Sequence, residues 1–187
     1  MGEQPATDAA AIEIRIEKID QLFHSFDPFP FREKDLDKDA EEFIVGWARE
    51  LPPDQPLRII VQLPETQVSA PEAHELPDAL TRYFSYRASV ISLDLKELFR
   101  VGRRALAIGI TILCFSVIMG QTAAATLSPH PIGRVIEESL HIFGWVANWR
   151  PIEIFLYDWW PIVRQRNLYQ RLSAAQVELR PSKTPPS

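Results

Sequence analysis

The chain has 187 residues, 20 Lys/Arg against 25 Asp/Glu, one cysteine and a mean hydropathy of −0.10. That length suits one ordinary domain, or a small domain joined to a membrane hairpin. Charge is unevenly placed: residues 1–98 carry 20 acidic and 10 basic side chains, net −10, and residues 99–187 carry 5 and 10, net +5. The acidic half excludes a nucleic-acid footprint, which needs clustered cations, and the basic half suits an anionic leaflet. A single cysteine, Cys114, excludes an intrachain disulfide framework.

Residues 1–10 are small and polar, without periodicity or an apolar signal core, and read as a disordered, unexported N-terminus. Ile12, Ile14 and Ile16 then alternate with Glu13, Arg15 and Glu17, a half-buried strand pattern favoured by β-branching. Ile12, Ile16, Ile19 and Phe23 also fit a helix face, and the strand is preferred. Phe26, Phe29 and Phe31 follow, with Pro28 and Pro30 between them. The prolines forbid a regular element, so the rings either pack back onto the sheet or form a docking strip for a partner. Asp27, Phe29, Phe31, Arg32, Asp35 and Asp37 are the candidate partner-binding residues.

Asp37 is a candidate N-cap for a helix whose first turn is crowded with acids, where the helix dipole favours them. A cation site is not expected there, because the spacing lacks an EF-hand glycine and terminal glutamate. Ala40, Phe43, Ile44, Trp47, Ala48 and Leu51 would line its buried face, and Pro52-Pro53 would end it. Leu57 to Leu63, bounded by Pro56 and Pro64, is the clearest strand. Strand, helix, strand predicts a βαβ unit with a right-handed crossover. Residues 64–74 read as a loop. From Glu75 the pattern turns helical, and only Gly102 interrupts it before the apolar run.

That run, residues 105–127, has no charged side chain. As a helix it would extend roughly 34 Å, enough for a hydrocarbon core of about 30 Å. Arg100, Arg103 and Arg104 precede it, so its N-terminal end is expected on the cytoplasmic side. One continuous helix would then run from the cytosolic domain into the bilayer. Cys114, inside the run, reads as a small packing residue rather than a reactive thiol. A short turn at Ser128-Pro129-His130-Pro131 leads to a second span at about 139–159.

The second span is rich in polar residues: His141, Asn148, Arg150, Glu153 and Asp158. It holds Trp145, Trp149, Trp159 and Trp160, which with Tyr157 resemble an interfacial belt. Arg150 and Glu153 are three apart and able to pair, and Pro151 between them predicts a kink. Two readings stand. Asn148, Arg150, Glu153 and Asp158, with His141, form an intramembrane or interfacial polar site for an ion, a lipid headgroup or a partner helix. Otherwise the span ends near Trp149 and residues 152–162 lie flat at the interface. Arg164, Arg166 and Arg171 return the chain to the cytosol. A short basic helix to Leu172, an edge strand at 176–180 and a disordered tail at 181–187 complete it.

No phosphate-binding glycine loop, nucleophile elbow, zinc-protease motif or paired-cysteine metal site occurs. His24, His74, His130 and His141 are scattered. No enzymatic activity, catalytic residue, metal or cofactor is expected.

Two segments carry a resemblance. Asp27, Pro28, Pro30, Phe31, Asp35, Leu36 and Asp37 match a D-P-x-P-F-x-x-x-D-L-D pattern, and residues 149–161 match W-R-P-x-E-I-F-L-Y-D-W-W-P. On these the chain, from about residue 12 to 180, resembles an uncharacterised family of small bacterial membrane proteins with two spans. The resemblance implies an architecture and no activity.

The expected fold class is α+β: a small cytosolic βαβα domain over residues 11–104, with a two- to three-stranded sheet. Its last helix continues into a two-helix transmembrane hairpin over 105–163, and residues 164–180 form the basic juxtamembrane segment. The expected location is the bacterial cytoplasmic (inner) membrane, multi-pass, with both termini cytoplasmic. The expected role is an integral membrane accessory or scaffold protein that presents its acidic domain to a protein partner or to another copy of itself. The alternative is a lipid- or ion-binding site at Arg150 and Glu153 in an oligomer. The expected partners include the lipid bilayer and exclude nucleic acid.

Overall fold

The sheet has three strands in the order β1-β2-β3, all parallel: β1 Ala11–Arg15, β2 Arg58–Leu63 and β3 Gln176–Pro181. In the register, Ile12 faces Ile59 and Ile14 faces Val61 on one side, while Val177 faces Ile59 and Leu179 faces Val61 on the other. β1 buries Ile12 and Ile14 and exposes Glu13 and Arg15 between them. β2 lies in the middle and buries Ile59, Ile60, Val61 and Leu63, the near-continuous apolar run expected of a parallel strand covered on both faces. Arg58 and Glu178 pair across β2 and β3 at 3.3 Å. The computed structural model describes residues 11–23, 35–127 and 130–182. The expectations for residues 1–10, for Asp27, Phe29, Phe31 and Arg32, for most of the tail and for the turn at 128–129 lie outside the described residues.

Parallel neighbours cannot be joined by a hairpin, so each pair needs a crossover. Between β1 and β2 it contains α1, Lys38–Glu50. Asp37 caps α1, its carboxylate accepting from the Asp39 amide at 3.0 Å. Just before it, Leu36 is buried in a bridge to Phe23. The crossover from β2 to β3 contains everything from residue 64 to residue 175.

The buried face of α1 differs from expectation. Ile44, Val45 and Ala48 are buried, whereas Phe43 and Trp47 are 46% and 49% exposed. The face turned inward is 41–44–45–48, and it includes Glu41. Residues 64–74 are not a loop throughout: α2 covers Glu65–Val68 and α3 begins at Pro71. Proline suits a first helical turn, where an amide hydrogen has no helical partner.

α3 runs unbroken from Pro71 to Thr126, 56 residues. Among the described residues it is the one helix long and apolar enough to cross a membrane, and only 17% of its most apolar window is buried. A core helix of a soluble domain would be mostly covered. Cys114, expected as a small packing residue, is exposed.

The second span, expected at about 139–159 with a kink at Pro151, is a broken helical stretch. α4 covers Pro131–Val146, α5 Trp149–Glu153, a π-helical turn Ile154–Asp158, and α6 Trp159–Ser173. The helix starts earlier because Pro131 sets its first turn. It breaks at Ala147 and Asn148 because Pro151 has no amide hydrogen for the Ala147 carbonyl and its ring crowds that carbonyl. The Asn148 amide bonds back to the Trp145 carbonyl at 3.0 Å, a tighter turn than α.

The chain forms two compact units: Met1–Val90 with Gln165–Ser187, and Ile91–Arg164. The first holds the sheet, α1 and a core that includes Ile44, Leu76, Leu80, Phe84 and Leu172. The second is built on closely packed helices. A Cβ placed on Gly102 would meet Ile154, one on Gly109 Asn148, and one on Gly120 Glu137. As one number rises the other falls, so α3 and the α4-to-π stretch run antiparallel. Phe99 and Phe155 stack at 6.1 Å near one end.

Candidate functional site

The four polar residues singled out between 148 and 158 do not form one cluster. Asn148 turns into the helix contact and is 6% exposed. Its side-chain amide donates to the Gly109 carbonyl at 3.0 Å and to the Gly144 carbonyl at 2.9 Å. Both of its amide hydrogens are therefore used, as a buried amide requires. Gly109 is needed for this approach: a Cβ there would lie 2.6 Å from the Asn148 Oδ1. Asn148 is a brace between helices with no donor left for a ligand.

Arg150 points the other way and is 63% exposed on its side chain. It donates to Glu153 at 3.1 Å and lies 3.2 Å from Asp158. Residues eight apart on a regular helix are about 12 Å apart along its axis and drift off a common face. The π turn between them shortens and rotates the segment, which brings Asp158 under the same guanidinium. Such turns are frequent at functional sites. The triad has one positive and two negative groups, so Arg150 has no charge left for an anion. His141 stays apart, its Nδ1 3.0 Å from the Glu137 carbonyl of its own helix.

The aromatic residues of this segment face outward: Trp145, Trp149, Tyr157 and Trp160 are all largely exposed. Arg164 stacks over Trp160, 5.1 Å from the ring centroid. Trp159 donates its indole N–H to the Phe155 carbonyl at 2.9 Å. Of the candidate partner-binding residues, Asp35 is exposed and Asp37 is occupied in capping α1.

Sequence reading missed a cluster in the sheet-containing unit. Glu41 of α1 accepts from Tyr83 at 2.8 Å, from Tyr169 at 2.6 Å and from the Arg87 Nε at 3.2 Å. Burial by itself would raise the Glu41 carboxyl. Hydrogen bonds from Tyr169 and Tyr83, with the Arg87 charge, outweigh it and hold the group below the usual range. Burial, then the bond to Glu41, pushes the Tyr83 phenol far up and raises Tyr169 as well. Arg87 also lies over the Tyr169 ring at 5.8 Å. Both oxygens of the carboxylate accept from side chains of the chain itself, so the cluster ties α1, α3 and α6 together. Its one sequence signal is the Tyr83–Arg87 spacing of four, which places both on one helix face.

Comparison of the chain with family models, with curated proteins and with solved structures finds no match in any of the three.

Proposed function

We propose that this chain is an integral membrane accessory or scaffold protein, not an enzyme. It holds an acidic strand-and-helix domain on the cytoplasmic side of a bacterial inner membrane and presents it to a protein partner. It crosses the membrane twice, as a helical hairpin over 105–127 and the α4–α5 region, with both termini cytoplasmic.

One observation carries the reading. β2 and β3 hydrogen-bond to each other, yet they lie on opposite sides of the apolar stretch in the sequence. A single crossing by α3 would leave them on opposite faces of the membrane, where they could not pair. If α3 crosses, the chain must cross back before residue 176. α4 alone, at 16 residues, extends about 24 Å, short of the hydrocarbon core, so the return needs α5 as well. The exposed aromatic residues at 149–160 suit the cytoplasmic interface at which it ends. The rival reading, a ligand site at Arg150, is less supported because Glu153 and Asp158 already occupy that guanidinium.

The test is side-specific labelling. With Cys114→Ser as background, single cysteines are placed by Asp54→Cys, Glu178→Cys and Arg134→Cys. In sealed cells a membrane-impermeant maleimide should label R134C alone. Labelling of E178C from outside sinks the two-crossing topology. Recovery of the protein from mild detergent as a lone monomer, with nothing bound, sinks the scaffold role.

A further inference from the structure

We infer that Arg103 and Arg104 bind the phosphate of an anionic phospholipid headgroup at the cytoplasmic end of the helical unit. This rests on the membrane reading above and names the lipid class that the site selects.

Two other arginines of the unit are committed to carboxylates. Arg100 pairs with Glu97, and Arg150 pairs with Glu153 and Asp158. Arg103 and Arg104 are exposed and make no ion pair among the described residues. They stand where the charged chain ends and the apolar run begins. Gly102, beside them, packs against Ile154 and Phe155. The exposed Tyr157 follows Phe155 by two residues on that facing stretch. Two unpaired guanidiniums at the edge of an uncovered apolar surface complement a phosphate attached to acyl chains. The guanidinium fork matches phosphate oxygens bidentately. The opposite end, where Gly120 meets Glu137, holds Arg134 with Glu137 and Glu138 and has no such excess of cations. The selection therefore belongs to one leaflet. A zwitterionic headgroup would bring its own cation against the pair, so an anionic lipid is favoured.

The experiment titrates the full chain, purified in mild detergent, with fluorescent phosphatidylglycerol and fluorescent phosphatidylcholine in mixed micelles. Phosphatidylglycerol should bind about thirtyfold tighter, the effect of two surface cations. R103Q/R104Q should bring the ratio to within about threefold, and R104Q alone should lower it about fivefold. R100Q, which removes a cation already paired with Glu97, should leave the ratio unchanged. If the double variant fails to fold, R104Q carries the test. Equal binding of both lipids by the wild type, or an undiminished ratio in R104Q, overturns the site. So does full displacement by glycerol 3-phosphate at the lipid's own concentration, which would mark a free-phosphate site. Alkaline carbonate extraction separates the two failures. Release of the wild type from membranes sinks the membrane reading, whereas retention without lipid preference sinks the headgroup site alone.

Discussion

Tyr169 donates a 2.6 Å hydrogen bond to Glu41, joining α6 to α1 across 128 positions of sequence. Glu41 lies on the inward face of α1, and the bond makes a carboxylate tolerable there. Removing the Tyr169 hydroxyl leaves the carboxylate with two donors instead of three. Tyr169→Phe is expected to cost about 2 kcal/mol, typical of a hydrogen bond to a charged group. Glu41→Ala should cost at least as much, because it strands both phenols and Arg87. Thermal midpoints of the detergent-solubilised full chain measure both, and unchanged midpoints would show the network to be incidental.

The same network sets a pH window. Glu41 is held below the ordinary carboxyl range, so its contribution is present above that range and is lost as pH falls through the depressed folded value. The Tyr83 and Tyr169 phenols are raised, so theirs is present below the ordinary phenol value of about 10 and is lost as pH rises toward the folded values. Stability plotted against pH should fall at both ends. Glu41→Gln should flatten the acid limb relative to wild type, and Tyr83→Phe the alkaline limb. Parallel curves for variant and wild type would contradict the assignment.

Gly109 and Asn148 should be strongly coupled. Gly109→Ala places a methyl group 2.6 Å from the Asn148 Oδ1 and 3.2 Å from the Ala147 carbonyl oxygen. A cost of about 1–3 kcal/mol is expected, the range for overpacking. In an Asn148→Ala background the first clash disappears, and the cost of Gly109→Ala should drop by at least about 0.5 kcal/mol. Additive losses in the double-mutant cycle would refute the close approach.

Arg150 should tolerate the loss of either carboxylate better than the loss of both. Glu153→Gln leaves Asp158, and Asp158→Asn leaves Glu153. Each should change stability by under about 1 kcal/mol, as expected of exposed pairs. The double variant should cost more than the sum. A charge swap, Arg150→Glu with Glu153→Arg, should not restore the wild type, because the new acid would face Asp158. Full rescue by the swap would mean that Asp158 takes no part.

The central strand was legible because β-branched residues between prolines leave few alternatives, as at Ile59 to Leu63, and the first because Ile12 and Ile14 alternate with charged residues. Asp37 was legible as a cap, and the uninterrupted helix followed from the absence of a breaker after Pro77. The strand expected at 176–180 is β3. The inward face of α1 was misread because apolar periodicity favours Phe43 and Trp47, whereas the structure turns Glu41 inward. Only partners far away in sequence, Tyr83 and Tyr169, make that favourable. The second span, expected at about 139–159 with a kink at Pro151, was legible only in part. Pro151 announced the break, but the direction in which Asn148 turns depends on the Gly109 carbonyl, 39 positions away. The polar residues between 148 and 158 were legible by type and not by direction, because the π turn decides which of them share a side.

The late position of β3 has a consequence for synthesis. β2 is made early and is apolar on both faces, but the strand that covers one of its edges emerges only after residue 175. Until then the growing chain carries a naked β-edge, and naked edges invite wrong pairing. Closing the sheet thus reports that the entire intervening chain has been made and has come back to its starting point. A product terminated before Gln176 would retain α3 yet lack its third strand. Such a product is expected to be recognised as incomplete and degraded.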